Sequence, residues 1–178
     1  MNAARLEILF NGVFATTCNT VLCGGASEPL YSPACREAPA QINYREDFAS
    51  SALHEVAHWC IAGAARRRQV DYGYWYSPDG RSRSKQSDFE RVEARPQALE
   101  WLFAQSCGAP FSLSLDNLAG DSDPADRLRF AREVVRQAET FLSIGLPPRA
   151  GRFCEVLRQD VQGGMSLRMM TFSLRDIL

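Results

Sequence analysis

Apolar residues recur at spacings of three and four over most of this chain and alternate only in short stretches, which predicts many helices and a small sheet. Leu6, Leu9, Phe10, Val13 and Phe14 mark an amphipathic opening helix from Ala3 to Ala15. Between Thr16 and Pro39 that period gives way to Gly24-Gly25, Pro29, Pro33 and Pro39, so loops are expected there, with a brief strand at Thr20 to Cys23. Gln41 to Tyr44 is a second short strand. Asp47 is the expected N-cap of a central helix spanning about Phe48 to Ala65. Arg66 to Arg68 would lie in its last turn, where cations complement the carbonyl end of the helix dipole.

Val70-Asp71-Tyr72-Gly73-Tyr74-Trp75-Tyr76, closed by Ser77-Pro78-Asp79-Gly80, reads as an aromatic strand ending in a tight turn. Arg81 to Gln86 is polar and expected to be an exposed loop. Ser87 and Glu90 have capping-box spacing and would start a helix, which either kinks at Pro96 or gives way to a second helix with Pro96 in its first turn. Phe111 to Leu115 is a strand candidate leading into an acidic loop, Asp116 to Asp121. Asp123-Pro124 caps a helix carrying Leu128, Val134, Val135, Ala138, Phe141 and Leu142, stopped by Gly145 and Pro147-Pro148. Phe153, Val156, Leu157 and Val161 mark one more helix. These elements add up to a helix-rich α+β fold in which residues 1–178 form a single domain with a small β-sheet.

Composition narrows the class. With 178 residues, 46% of them hydrophobic, the chain can bury a core without staples, and its net charge of -1 argues against a general nucleic-acid binder. Of the 20 basic residues only Lys85 is lysine, which reads as compositional bias. No secretory leader is legible at the start and no apolar run approaches membrane-spanning length, so a soluble, cytoplasmic protein is expected. The six cysteines have no C-x-x-C spacing and are expected to be free thiols, mainly buried. Cys18, Cys23 and Cys35 match none of the usual zinc patterns.

The chemistry concentrates in the central helix. His54-Glu55-Val56-Ala57-His58 holds the only two histidines of the chain, four residues apart. On a helix both rings leave one face and can grip a single divalent metal ion. Leu53, Val56, Ala57 and Ile61 would shield them from water. A third ligand must then be a carboxylate or thiolate. Glu90 has a capping role, and Cys60, two residues past His58, should point away. Glu93 and Glu100 would share a face of a continuous helix; Glu93, which has no capping or packing job, is preferred and Glu100 is the alternative. Two chemistries suit this set. In a zinc hydrolase of metallopeptidase type, Glu55 would be the general base toward a metal-bound water. In a non-haem iron enzyme, two histidines and a carboxylate occupy one face of Fe(II) and leave positions for dioxygen and substrate.

The wording around the motif favours the second. His54 to Gly63, Val70 to Tyr76 with Pro78-Asp79-Gly80, Pro96-Gln97-Ala98-Leu99-Glu100-Trp101-Leu102-Phe103, and Ser114 to Gly120 with Asp116-Asn117-Leu118 closely resemble the bacterial elongation factor P hydroxylase family. The likeness is strong over about the middle two-fifths of the chain, weak in the opening helix and without a firm match beyond Met165. It implies a cytoplasmic oxidoreductase that hydroxylates the modified, lysylated lysine of elongation factor P, using a non-haem metal, Fe(II), and dioxygen. His54, His58 and Glu93 match the family's metal ligands, and Glu55 would steer a ligand or a proton beside them. No residue singles itself out as a clamp for a keto-acid cosubstrate. The cationic target calls for acids and aromatic faces, for which Tyr72, Tyr74, Trp75, Asp116 and Asp121 are the candidates. Elongation factor P, acidic as the resemblance implies, would be met by Arg66 to Arg68, Arg81, Arg83 and Lys85; neither nucleic acid nor membrane is an expected partner.

Overall fold

The computed structural model describes residues 1–70, 83–115, 123–161 and 165–178, with only the backbone of 83–87. The chain opens with helix α1 (Ala3–Cys18), whose Asn2 cap accepts from the Arg5 N–H at 2.9 Å, and which buries Ala3, Leu6, Phe10 and Phe14. Asn19 turns the chain through a left-handed conformation (φ 47°) directly into strand β1 (Thr20–Ala26). Strands β2 (Leu30–Ser32) and β3 (Ala40–Arg45) complete a three-stranded sheet of order β1-β3-β2, β3 running parallel to β1 and antiparallel to β2. Strand β2 was not expected, being only three residues long. Thr20 and Leu22 of β1 and Ala40, Ile42 and Tyr44 of β3 alternate into the core. Along the outer edge of β1, side chains of α1 take up backbone groups: Asn11 bonds both Leu22 N (2.7 Å) and Leu22 O (3.1 Å), and Glu7 accepts from Gly24 N (2.6 Å).

Helix α2 (Ala49–Ile61) is shorter at both ends than its apolar pattern predicts. Phe48, not Asp47, is the N-cap and no side chain bonds there. At the other end Ala62 turns to extended backbone (ψ 125°), so Arg66–Arg68 form a separate 3-10 turn rather than the last turn of α2. Arg67 of that turn still reaches back to donate to the Ala62 carbonyl, and a second cation comes from far along the chain. Arg149 Nη2 donates to the carbonyls of Trp59 (2.9 Å), Cys60 (3.1 Å) and Ala62 (2.9 Å), and its guanidinium lies 4.5 Å from the Trp59 ring centre. Terminal carbonyls of a buried helix need such a donor, because water cannot reach them.

Helix α3 (Arg83–Cys107) corrects two expectations and decides between the two readings at Pro96, where one helix continues. It starts within the stretch expected to be a loop, Ser87 lies inside it instead of capping it, and it runs unbroken through Pro96. At Pro96 the missing N–H and the crowding of its ring against the Val92 carbonyl together cost roughly 3 kcal/mol. Burial of Ala98, Leu99, Trp101, Leu102 and Phe103 in the following turns offsets it. Glu90 is no cap either: it is buried and accepts from Arg129 at 2.8 Å. After α3, residues 111–115 form no strand; Ser114 is instead held against the helix by both ends of the Gln97 amide.

Helix α4 (Pro124–Ile144) begins as expected, with Asp123 accepting from Ala125 N at 2.9 Å, and ends at Gly145 (φ 94°). Its buried stripe is Phe130, Ala131, Val134, Ala138 and Phe141. Helix α5 (Pro148–Asp160) follows at once and buries Ala150, Phe153, Cys154 and Leu157. Both helices pack on α3, which thereby contacts α2, α4 and α5. The tail adds two 3-10 turns and places Phe172 against Trp101, which also stacks on Phe111. Phe10, Phe14, Trp59, Phe103 and Phe153 meet edge to face or tilted at the centre of one buried cluster. All six cysteines are free, but only Cys60, Cys107 and Cys154 are fully buried.

Arg149→Met, which keeps an apolar stem while removing the donors, should lower stability by about 2–4 kcal/mol. A fall in the urea midpoint without a change in slope would be the signature, and an unchanged midpoint would show that the α2 carbonyls find other partners.

Candidate metal centre

The apolar residues Ala52, Leu53, Val56, Ala57, Trp59 and Cys60 turn α2 toward the core, and the histidines lie at the margin of that stripe. His54 and His58 are one turn apart, with ring centres separated by 4.7 Å and planes inclined at 70°. Their Nε2 atoms approach to 3.0 Å. Across from them α3 presents Glu93, whose Oε1 lies 3.4 Å from His58 Nε2 and whose Oε2 lies 3.4 Å from His54 Nε2. Glu100, two turns further along α3, places Oε2 at 2.8 Å from the other nitrogen of the His54 ring, Nδ1. Continuity of α3 through Pro96 is what keeps the two acids on one face.

The three facing groups form the one set among the described residues able to hold a metal ion, with donor atoms of His54, His58 and Glu93 all within 4.8 Å of one another. The donor chemistry fits a divalent ion, two imidazole nitrogens and a carboxylate oxygen. Glu93 Oε2 adds a second sign of fit, being buried without a hydrogen-bonding partner among the described residues. The two Nε2 atoms, 3.0 Å apart, also call for a proton or a metal ion between them. Metal–nitrogen bonds of about 2.1 Å put neighbouring ligand atoms roughly 3 Å apart at a right angle and roughly 3.4 Å apart at a tetrahedral angle. The nitrogen pair at 3.0 Å matches the former, and the two nitrogen–oxygen spacings at 3.4 Å match the latter.

Electrostatics follow from burial and from these contacts. Burial alone would push the Glu93 carboxyl up, but the charge of His58 and the closeness of both rings hold it well below the usual carboxylate range. Burial opposes protonation of His54, yet Glu100 and Glu93 outweigh it and raise its pKa well above the usual value. Glu55 is raised, chiefly by burial, against the pull of His58 and His54. Cys60 falls outside the donor set of His54, His58 and Glu93; it is buried, and burial pushes its thiol up.

A model of the family described as elongation factor P hydroxylase matches residues 9–172 of this chain. The chain belongs to that family. It is also 48% identical over 143 residues to the elongation factor P lysine hydroxylase of Haemophilus influenzae, a match covering 80% of this chain and 79% of the relative. The hydroxylase family match continues past Met165, where the sequence motifs give no firm likeness.

Of the residues expected to bind substrate, Tyr72, Tyr74, Trp75, Asp116 and Asp121 lie outside the described residues, as does Arg81, and the side chains of Arg83 and Lys85 do too. One residue beside the acids went unnoticed in the sequence. Gln97 is four residues after Glu93 and three before Glu100, so it shares their face, and it is 1% exposed. Its Nε2 donates to Ser114 O (2.7 Å) and its Oε1 accepts from Ser114 N (3.1 Å), fixing residues 111–115 beside the centre. A polar residue spaced between two acids on a helix that must be buried is the signal that would have found it.

Gln97→Leu should reduce stability by about 1–3 kcal/mol. It should also speed amide exchange at Ser114 more than at α4; equal protection of Ser114 in the variant would refute the clamp.

Proposed function

We propose that this chain is a single-domain, cytoplasmic, metal-dependent protein-lysine hydroxylase acting on the modified, lysylated lysine of elongation factor P. The observation that carries the reading is the convergence of His54 Nε2, His58 Nε2 and the orphaned Glu93 Oε2 in a member of this hydroxylase family. His54, His58 and Glu93 would hold the ion, Fe(II), two imidazole nitrogens and a carboxylate oxygen being donors that suit it. When bound, Fe(II) supplies the one-electron chemistry that dioxygen activation requires.

The chain's own residues bind, orient and exclude water. Val56 and Ala57, buried between the ligating turns of α2, keep the ring nitrogens in an apolar setting, and Glu93 offsets the positive charge gathered there. Glu55, on the same helix with its pKa raised mainly by burial, is suited to hold a proton at its carboxyl beside the centre, which is a catalytic role distinct from that of a peptidase base. Tyr72, Tyr74, Trp75, Asp116 and Asp121 remain the proposed contacts of the cationic target, with aromatic faces and acids as its natural partners. No helix among the described residues is long and apolar enough to cross a membrane.

The test is anaerobic reconstitution with Fe(II), followed by oxygen and lysylated elongation factor P, with and without a keto acid. A gain of one oxygen atom in the target's mass is expected. Glu93→Ala should abolish it, whereas Glu55→Gln should leave turnover measurable. Zinc-dependent cleavage of a peptide without oxygen, lost in Glu55→Gln, would instead establish the hydrolase.

A further inference from the structure

Glu93 and Glu100 engage the same ring from its two nitrogen edges. Glu93 Oε2 lies on the Nε2 side of His54 at 3.4 Å, and Glu100 Oε2 lies on the Nδ1 side at 2.8 Å. The two lone-pair directions of an imidazole diverge, so an acid bonded at Nδ1 does not share the point that Nε2 faces. Glu100 accordingly falls outside the set of donors formed by His54, His58 and Glu93.

An ionised carboxylate has only acceptors, and a contact of 2.8 Å to a ring nitrogen therefore requires the proton to sit on Nδ1. In the neutral ring, the form a metal binds, that choice leaves Nε2 bare, and the contact fixes the plane of the ring. Glu100 is 8% exposed, so water competes little for the bond.

We propose that Glu100 is a positioning residue: by holding the Nδ1 proton of His54 it selects the tautomer and ring orientation that direct the Nε2 lone pair at the point shared with His58 and Glu93. The inference rests on the metal-binding reading of that cluster. Carboxylate partners of ligating histidines tune affinity in this way, and their loss typically weakens metal binding about 10–100-fold.

The experiment is a Co(II) titration against a competing chelator, with no turnover involved. Glu100→Leu, which cannot accept a proton, should bind about 10–100-fold more weakly than the wild type, and Glu100→Gln, which retains an acceptor without charge, should recover part of the loss. In a His54→Ala background Glu100→Leu should have no further effect, because Glu100 acts through that ring. Full-strength binding by Glu100→Leu would overturn the proposal, and so would an additional loss in the His54→Ala background, which would make Glu100 a direct ligand. A wild type that binds no Co(II) would sink the metal reading itself, a different result from an unaffected variant. If the leucine variant does not fold, ¹⁵N spectra of the Zn(II)-loaded wild type decide the matter. A protected Nδ1 proton on His54 with Nε2 metal-bound upholds the proposal, and metal bound through Nδ1 overturns it.

Discussion

The contact between α2 and α3 is the constraint on which the rest of the structure turns. Each helix carries polar groups on a face that packing forces inward, imidazoles on one and carboxylates with an amide on the other. Neither face could be buried alone, since an unpaired carboxylate in an apolar setting is strongly disfavoured. Brought together, each group supplies what the others lack. His54 lies between two acids, His58 meets one of them, and Gln97 satisfies backbone of the neighbouring segment. One acceptor, Glu93 Oε2, is left buried without a hydrogen bond among the described residues. That residual negative site beside two ring nitrogens is where a cation is best accommodated.

The remainder of the fold acts as a frame for that contact. The aromatic cluster of α1, α2, α3 and α5 fixes the angle at which α2 lies, and Arg149 of α5 anchors its C-terminal carbonyls just beyond His58. One turn before Glu93, Glu90 of α3 pairs with Arg129 of α4. A metal centre needs ligands held by packed neighbours, because a small rotation of either helix would separate the nitrogens from the carboxylate. Such support from several elements is costly to specify and consistent with a site that must hold its geometry through turnover.

Several features could be read directly from the chain. The four-residue spacing of the histidines, the Asp123-Pro124 helix start, the Gly145 stop and the opening stripe through Phe10 and Phe14 all depend on residues close in sequence, and each is present. The errors have a common cause as well. Ser87 and Glu90 satisfy a capping rule but lie inside α3, and Arg66 to Arg68 satisfy a dipole rule but lie beyond α2, from where Arg67 donates back to Ala62 at its end. A local rule states what a motif can do, and tertiary packing then decides whether it does so. Glu90 found a partner 39 residues away in Arg129, and the end of α2 found one about 90 residues away in Arg149.

The sequence by itself determined that two imidazoles would leave one helical face with Glu55 beside them, and its linked motifs pointed to the hydroxylase family. It also restricted the third group to a few acids on the next helix, because backbone geometry sets the period along any one element. Only the tertiary structure decided that α3 passes unbroken through Pro96, that Glu93 faces both Nε2 atoms, and that Glu100 takes Nδ1 instead. Those outcomes depend on the rotation and height of one helix against another. Distant side chains such as Arg149, Arg129 and the core aromatics fix these, and no spacing within a single segment records them.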